Sequence, residues 1–191
     1  WRRVPRIHFV HPHCREADPA VTARFMSCLK RRRVIVVVRD PRDVVFTYRA
    51  RLCKRQRDPE ALGLDLPTFI RHEALGIRRI IGFVNQWHAA RDKVGQLLFL
   101  RYEDLRNEPL THFPRLLEYL GVPVNTTLLR EVLDSTPDTT TTAIEAGSER
   151  PGNADLAYME EQMNLLDPAV GYKARIPHNG APGTTSTEDI S

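Results

Sequence analysis

The chain has 191 residues, 41% of them hydrophobic and 27% charged, which suits one globular domain with a sizeable core and excludes a chain dominated by disorder. Its formal charge of +4 hides an asymmetry, because residues 1–57 hold 16 Lys or Arg against 4 Asp or Glu and the remainder is net acidic. No aromatic-interleaved or recognition-helix pattern accompanies the basic residues, so the sequence argues against nucleic acid and for a smaller anion such as a phosphorylated nucleotide.

In chain order, residues 6–10 (RIHFV) alternate weakly and predict a short strand leading into the loop His11-Pro12-His13. Val21, Phe25, Met26 and Leu29 then recur at helical spacing over residues 19–31, and the basic run Lys30 to Arg33 reads as a solvated face. The stretch Val34 to Asp43, VIVVVRDPRD, runs five apolar residues into a charged turn closed by proline. Branched apolar residues in series suit a strand buried on both faces in a parallel sheet, and the carboxyl end of such a strand is where open α/β sheets place ligands. Arg39 occupies that end. Pro41 cannot extend the ladder, and Asp40 or Asp43 can cap a helix through Val44, Val45, Tyr48 and Leu52.

Residues 58–67 read as a loop broken by Pro59, Gly63 and Pro67, followed by one amphipathic helix over 68–93 with bends at Gly76 and Gly82. Leu97 to Tyr102 is a second apolar strand, and the Glu103-Asp104 that follows is read as capping or pairing with basic groups rather than as acid–base machinery. Further helices are expected from Pro109 to Leu120, stopped by Gly121, from Leu128 to Leu133, and from Tyr158 to Leu166, with a threonine-rich loop from Thr136 to Thr142. A disordered tail is expected over 177–191, leaving residues 1–176 as the domain. Strands separated by helices at these distances predict α/β architecture, a parallel sheet flanked by helices.

Cys14, Cys28 and Cys53 lack the paired spacing of a zinc site and are too few for a disulfide scaffold, so they read as reduced or buried thiols, and no metal is expected. A Cys14–Cys28 disulfide and glycosylation of the sequon Asn125-Thr126-Thr127 are the alternative for a protein of the secretory pathway. No signal peptide and no apolar run of the roughly 18 to 20 residues needed for a membrane span is present in the sequence.

The stretch VRDPRDVVFTYRARL resembles the sulfotransferase element in which a strand ends in Arg, an Asn- or Asp-Pro turn follows, and a helix carries a Ser or Thr. In that family the element holds the 3′-phosphate of 3′-phosphoadenylyl sulfate, so the resemblance implies that Arg39 and Thr47 bind that phosphate. A guanidinium fork beside a helix N-terminus suits a dianion on physical grounds as well. QLLFLRYEDLRNEPLTHFPRLLEYLGVP is similar to a second family segment, in which a strand ends in Tyr-Glu-Asp before a helix closed by Leu-Gly, and NQWHAARD resembles the family's Trp-containing helix. By this resemblance Tyr102 contacts the donor's adenine, and its place at a strand's carboxyl end favours that role over a core aromatic with a locally satisfied hydroxyl.

RIHFVH is similar to the family segment Arg, two residues, Lys, Thr, His, whose histidine takes the acceptor's proton. His11 stands in that place as the candidate catalytic base, but the lysine and threonine positions are Phe9 and Val10, and His11 otherwise reads as a polar loop histidine. Arg150, in Glu149-Arg150-Pro151-Gly152, is the loose counterpart of the family's C-terminal Arg-Lys-Gly phosphate loop, and Val170-Gly171-Tyr172 resembles bacterial or Golgi-type members. The family's Pro-Lys-Ser-Gly-Thr-Thr phosphosulfate turn has no match, nor has GxxxxGK[ST]. The expectation is a P-loop-NTPase-like sulfotransferase fold, N-terminally incomplete, with the phosphosulfate turn before residue 1.

The function implied is transfer of a sulfuryl group from 3′-phosphoadenylyl sulfate to an acceptor hydroxyl or amine. Its alternatives are a homologue that binds 3′-phosphoadenosine nucleotides without catalysing transfer, and a P-loop nucleotide kinase. The expected compartment is the cytoplasm, or the Golgi lumen if an anchor precedes the chain.

Overall fold

The computed structural model describes residues 29, 32–55, 63–92, 96–136 and 150–173. Strand β1 (Val34–Val38) leads into helix α1 (Pro41–Arg55), followed by α2 (Leu66–Arg71), α3 (Ile77–Ala90), strand β2 (Leu97–Arg101), α4 (Tyr102–Asn107), α5 (Pro109–Leu120), α6 (Thr126–Ser135), α7 (Asn153–Met163) and a 3-10 turn at Pro168–Val170. The architecture is mixed α/β, mostly helical, around a small parallel sheet. The strand expected over 6–10, His11, Cys14, Cys28, most of the helix expected over 19–31, the threonine-rich loop beyond Thr136 and the tail from 177 lie outside the described residues.

β1 and β2 pair in parallel, Val34 with Leu97 through Val38 with Arg101. Side chains of a strand alternate between faces, and in register Val36 and Val38 share a face with Leu97 and Phe99. That face meets the core, formed with Val45 of α1, Leu66, Phe69 and Ile70 of α2, Ile77, Ile81 and Val84 of α3, and Met159 and Met163 of α7. Leu98 and Leu100 are buried on the other face, where Val37 is 51% exposed.

α3 shows why its residues form a helix that docks. Ile77, Ile81, Val84 and His88, at spacings of four, three and four, are all buried and make one stripe. Phe69 has no exposed surface and meets Tyr48 edge-on at 5.9 Å, so its burial contributes roughly 1.5–3 kcal/mol.

The single helix expected over 68–93 is two. α2 ends at Arg71 and α3 starts after Gly76, because the chain folds back so closely there that a Cβ on Gly76 would lie 2.3 Å from the Ile70 carbonyl oxygen and 2.6 Å from that of His72. The Gly76 N–H donates to the His72 carbonyl at 2.7 Å. Gly82, by contrast, lies within α3 with open space where a Cβ would stand, and no break occurs there. The periodicity of the apolar residues continues across both glycines, so only the close approach distinguishes them.

Other boundaries shift modestly. α7 begins at Asn153, five residues before the expected start, because the Asp155 carboxylate accepts the Gly152 N–H at 3.0 Å and caps the first turn. α5 runs through Pro114, which lacks the N–H that would bond residue 110, and ends at Gly121 with φ 75° in the left-handed region, as a C-terminal glycine should. Asn125 caps α6 by accepting the Leu128 N–H at 3.0 Å.

The amino ends of both strands are closed by Tyr119 of α5. Its hydroxyl accepts from the Val34 N–H at 3.2 Å and donates to the Gln96 carbonyl at 2.6 Å. At the far end of α3, Asn85 donates to the Leu165 carbonyl at 2.7 Å and accepts the Asp167 N–H at 2.9 Å, while His88 Nδ1 lies 2.8 Å from the Asp167 carboxylate. These contacts fasten the chain after α7 to the core.

Candidate functional site

The parallel register builds the site. Since Val38 pairs with Arg101, the next residues, Arg39 and Tyr102, emerge side by side at the carboxyl ends of the two strands. The Arg39 guanidinium lies over the Tyr102 ring, 5.2 Å from its centroid, a cation–π arrangement. Arg39 also faces Asp43, one turn into α1, at 3.9 Å, with each side chain about a quarter exposed. That separation exceeds hydrogen-bond length, and an ion pair so placed is worth about 0–1 kcal/mol. A dianion offered two oxygens to the fork would compete with Asp43 easily.

The turn that carries Arg39 is fixed by buried charge. Asp40 is 4% exposed and accepts the Arg42 N–H at 2.9 Å, capping α1, while its carbonyl accepts from Val44 N–H at 3.0 Å. The Arg42 guanidinium, also 4% exposed, binds Asp40 at 2.6 and 2.9 Å, Glu160 of α7 at 2.8 and 2.9 Å, and the Lys173 carbonyl at 3.0 Å. Burial works against its charge, but the bonds to Asp40 and Glu160 prevail and hold it more firmly protonated than usual.

Glu103, the second residue of α4, crosses between the strand ends. One carboxylate oxygen accepts the Asp40 N–H at 2.9 Å and the other accepts the Tyr172 hydroxyl at 2.6 Å. Tyr172 Oη also lies 3.3 Å from the Val38 carbonyl oxygen. Burial first, and then the Glu103 carboxylate, push the Tyr172 phenol well above its ordinary range, so it stays a donor. Next to it, Arg101 grips Asp104 through two bonds at 2.5 and 2.9 Å and donates to the Gly171 carbonyl at 2.8 Å. The Asp104 carboxyl is lowered chiefly by that Arg101 bond.

The structure thus brings Arg39 and Tyr102 together. Thr47 is half-buried on the second turn of α1, and its hydroxyl lies 3.0 Å from the Val44 carbonyl oxygen and 3.3 Å from that of Asp43, so it bonds within its own helix. A hydroxyl rotor can exchange such a bond for one to a ligand. Arg150 is exposed on the segment entering α7, and His11 lies outside the described residues.

Sequence reasoning missed Arg42, Glu160 and Tyr172 as determinants of the site. The local signal was the RDPRD spacing, which places a second arginine two residues after the capping Asp40. Nothing local pointed to Glu160, and Tyr172 figured only within Val170-Gly171-Tyr172, with no role at the site.

Compared with protein families, residues 17–145 match the sulfotransferase domain. Neither curated proteins nor solved structures supply a match. The matched span covers both strands and the Arg39–Tyr102 pair at their carboxyl ends, and on that ground the chain belongs to the sulfotransferase family.

Proposed function

We propose that the carboxyl ends of β1 and β2 are the donor site for 3′-phosphoadenylyl sulfate, from which the protein transfers a sulfuryl group to an acceptor hydroxyl or amine. The observation that carries this reading is the Arg39–Tyr102 pair, a guanidinium beside the N-terminus of a 15-residue helix and an aromatic ring next to it. The residues fit the group. Arg39, with the partial positive charge at the α1 terminus, suits the 3′-phosphate, Thr47 supplies a hydroxyl donor from the same helix, and the Tyr102 ring offers a surface for the adenine. Arg150 is a further candidate for phosphate contact.

The bound donor supplies an activated sulfuryl group. What the chain contributes is position and charge: donors aimed at the donor's phosphates and a base for the acceptor's proton. His11, at the position matching the family's histidine, is the base we assign, since an imidazole titrating near neutrality can take that proton as the bond to sulfur forms.

Calorimetric titration with adenosine 3′,5′-bisphosphate and with adenosine 5′-monophosphate tests the donor site. The expected result is a preference for the bisphosphate that Arg39→Ala removes, with a loss of about tenfold or more for a charge-assisted bidentate contact. A folded chain that shows no such preference would defeat the reading. Because the phosphosulfate turn has no match in these 191 residues, binding without transfer is the second reading, and detectable turnover by the chain would eliminate it.

A further inference from the structure

We infer that Glu103 is a positioning residue for Arg39, setting the aim of the guanidinium through the Asp40 peptide that follows it; the inference rests on the donor-site reading above. Arg39 lies between Val38 and Asp40; Glu103 holds the peptide that follows it, and the Tyr172 hydroxyl that orients Glu103 packs beside the carbonyl that precedes it. The Asp40 N–H donates to one Glu103 oxygen at 2.9 Å, and the Tyr172 hydroxyl, which donates to the other oxygen at 2.6 Å, sits 3.3 Å from the Val38 carbonyl oxygen. The Glu103 carboxylate therefore braces the turn from the β2 side.

Two features separate this from ordinary capping. The Asp40 N–H is not a group that α1 would otherwise satisfy, because Asp40 precedes the helix and its own carboxylate is directed forward to Arg42. And Glu103 adjoins Tyr102, whose ring lies under the Arg39 guanidinium, so one dipeptide supports Arg39 from below through the ring and from behind through the backbone. Rotation of the Asp40 peptide would swing Arg39 off the ring. Tyr172 brings the segment after α7 into the same brace, and Arg42 adds a second tie through Glu160 and the Lys173 carbonyl. Geometry at the phosphate end of the site is thus set by residues that would not touch the ligand.

The test compares the parent chain with Glu103→Ala, Glu103→Gln and Tyr172→Phe. Each is titrated with adenosine 3′,5′-bisphosphate and with adenosine 5′-monophosphate, with thermal melting as the check of folding. The readout is the ratio of the two affinities, which a general loss of stability in a folded protein would not move. Glu103→Ala should lower the ratio about tenfold, the equivalent of one well-made hydrogen bond to a charged group. Glu103→Gln should restore most of it, since the amide oxygen can accept from Asp40 N–H and the amide nitrogen can donate to Tyr172. Tyr172→Phe should fall between.

A cooperatively melting Glu103→Ala protein with an unchanged ratio would overturn the inference. If that variant does not fold, an unchanged ratio in Tyr172→Phe overturns it instead. A parent chain without 3′-phosphate preference, or one whose preference survives Arg39→Ala, would overturn the donor-site reading itself and the positioning role with it.

Discussion

Among the described residues the sheet has two strands, and each of its ends is closed by a tyrosine hydroxyl that is used differently. At the amino ends Tyr119 satisfies only backbone, taking the Val34 N–H and giving to the Gln96 carbonyl. At the carboxyl ends Tyr172 gives its proton to the Glu103 carboxylate, which holds the Asp40 N–H, which borders Arg39. Burial raises both phenols, but only Tyr172 has a carboxylate adding to the effect. The same side chain makes a fastening at one end and part of an aiming device at the other, and the difference lies in what the hydroxyl touches next.

The strongest way to break the carboxyl end is Arg42→Met. It removes the guanidinium and leaves Asp40 buried without its main counter-charge, so a loss of about 3–5 kcal/mol is expected in urea denaturation, without a comparable loss from a change at Tyr119. A loss below about 1 kcal/mol would mean that the network is not a structural unit.

A sharper comparison is Tyr119→Phe against Tyr172→Phe. Each should cost about 0.5–1.5 kcal/mol of stability, the usual worth of a hydrogen bond. Only Tyr172→Phe should also reduce the preference for a 3′-phosphate. Equal binding by the two variants would erase the distinction drawn between the ends.

The smallest effects are on the pH profile of stability. Asp104 has its folded-state carboxyl lowered by Arg101, so its contribution is present above the ordinary carboxyl range of about pH 4 and is lost as pH falls through the lowered value. Asp104→Asn should flatten that acid limb in melts from about pH 5 to 2. The two tyrosines work in the other direction. Their folded-state values are raised, so their contribution is present below about pH 10 and is lost as pH rises beyond it. Tyr172→Phe should flatten the alkaline limb more than Tyr119→Phe.

How far this was legible in the sequence depends on the range of the contact. The run from Val34 to Val38, the turn at Pro41 and the helix after it carry their structure in adjacent residues, and so does the strand before Tyr102. Two strands read as parallel then place Arg39 and Tyr102 at the same end, which is why both could be singled out. Glu103 and Asp104 read as capping or pairing residues, and Asp104 does pair with Arg101 while Glu103 accepts from a backbone N–H. The brace itself joins residues 63, 69, 118 and 134 positions apart, distances at which a single sequence carries no pairing signal. Gly76 escapes a local reading for a related reason. Its constraint is the approach of another stretch of backbone, whereas Gly82, with the same identity in the same periodic run, has none.

Those separations have a consequence for how the protein comes into being. Synthesis proceeds from the amino terminus, so the strand and turn bearing Arg39 leave the ribosome well before Tyr172 and Lys173, the residues that finally tie them down. The entropic cost of closing such a loop grows only slowly with its length, but these contacts cannot form before residue 173 has been made. On the positioning role inferred for Glu103, a nascent chain that has not yet released Tyr172 lacks one member of the brace beside Arg39.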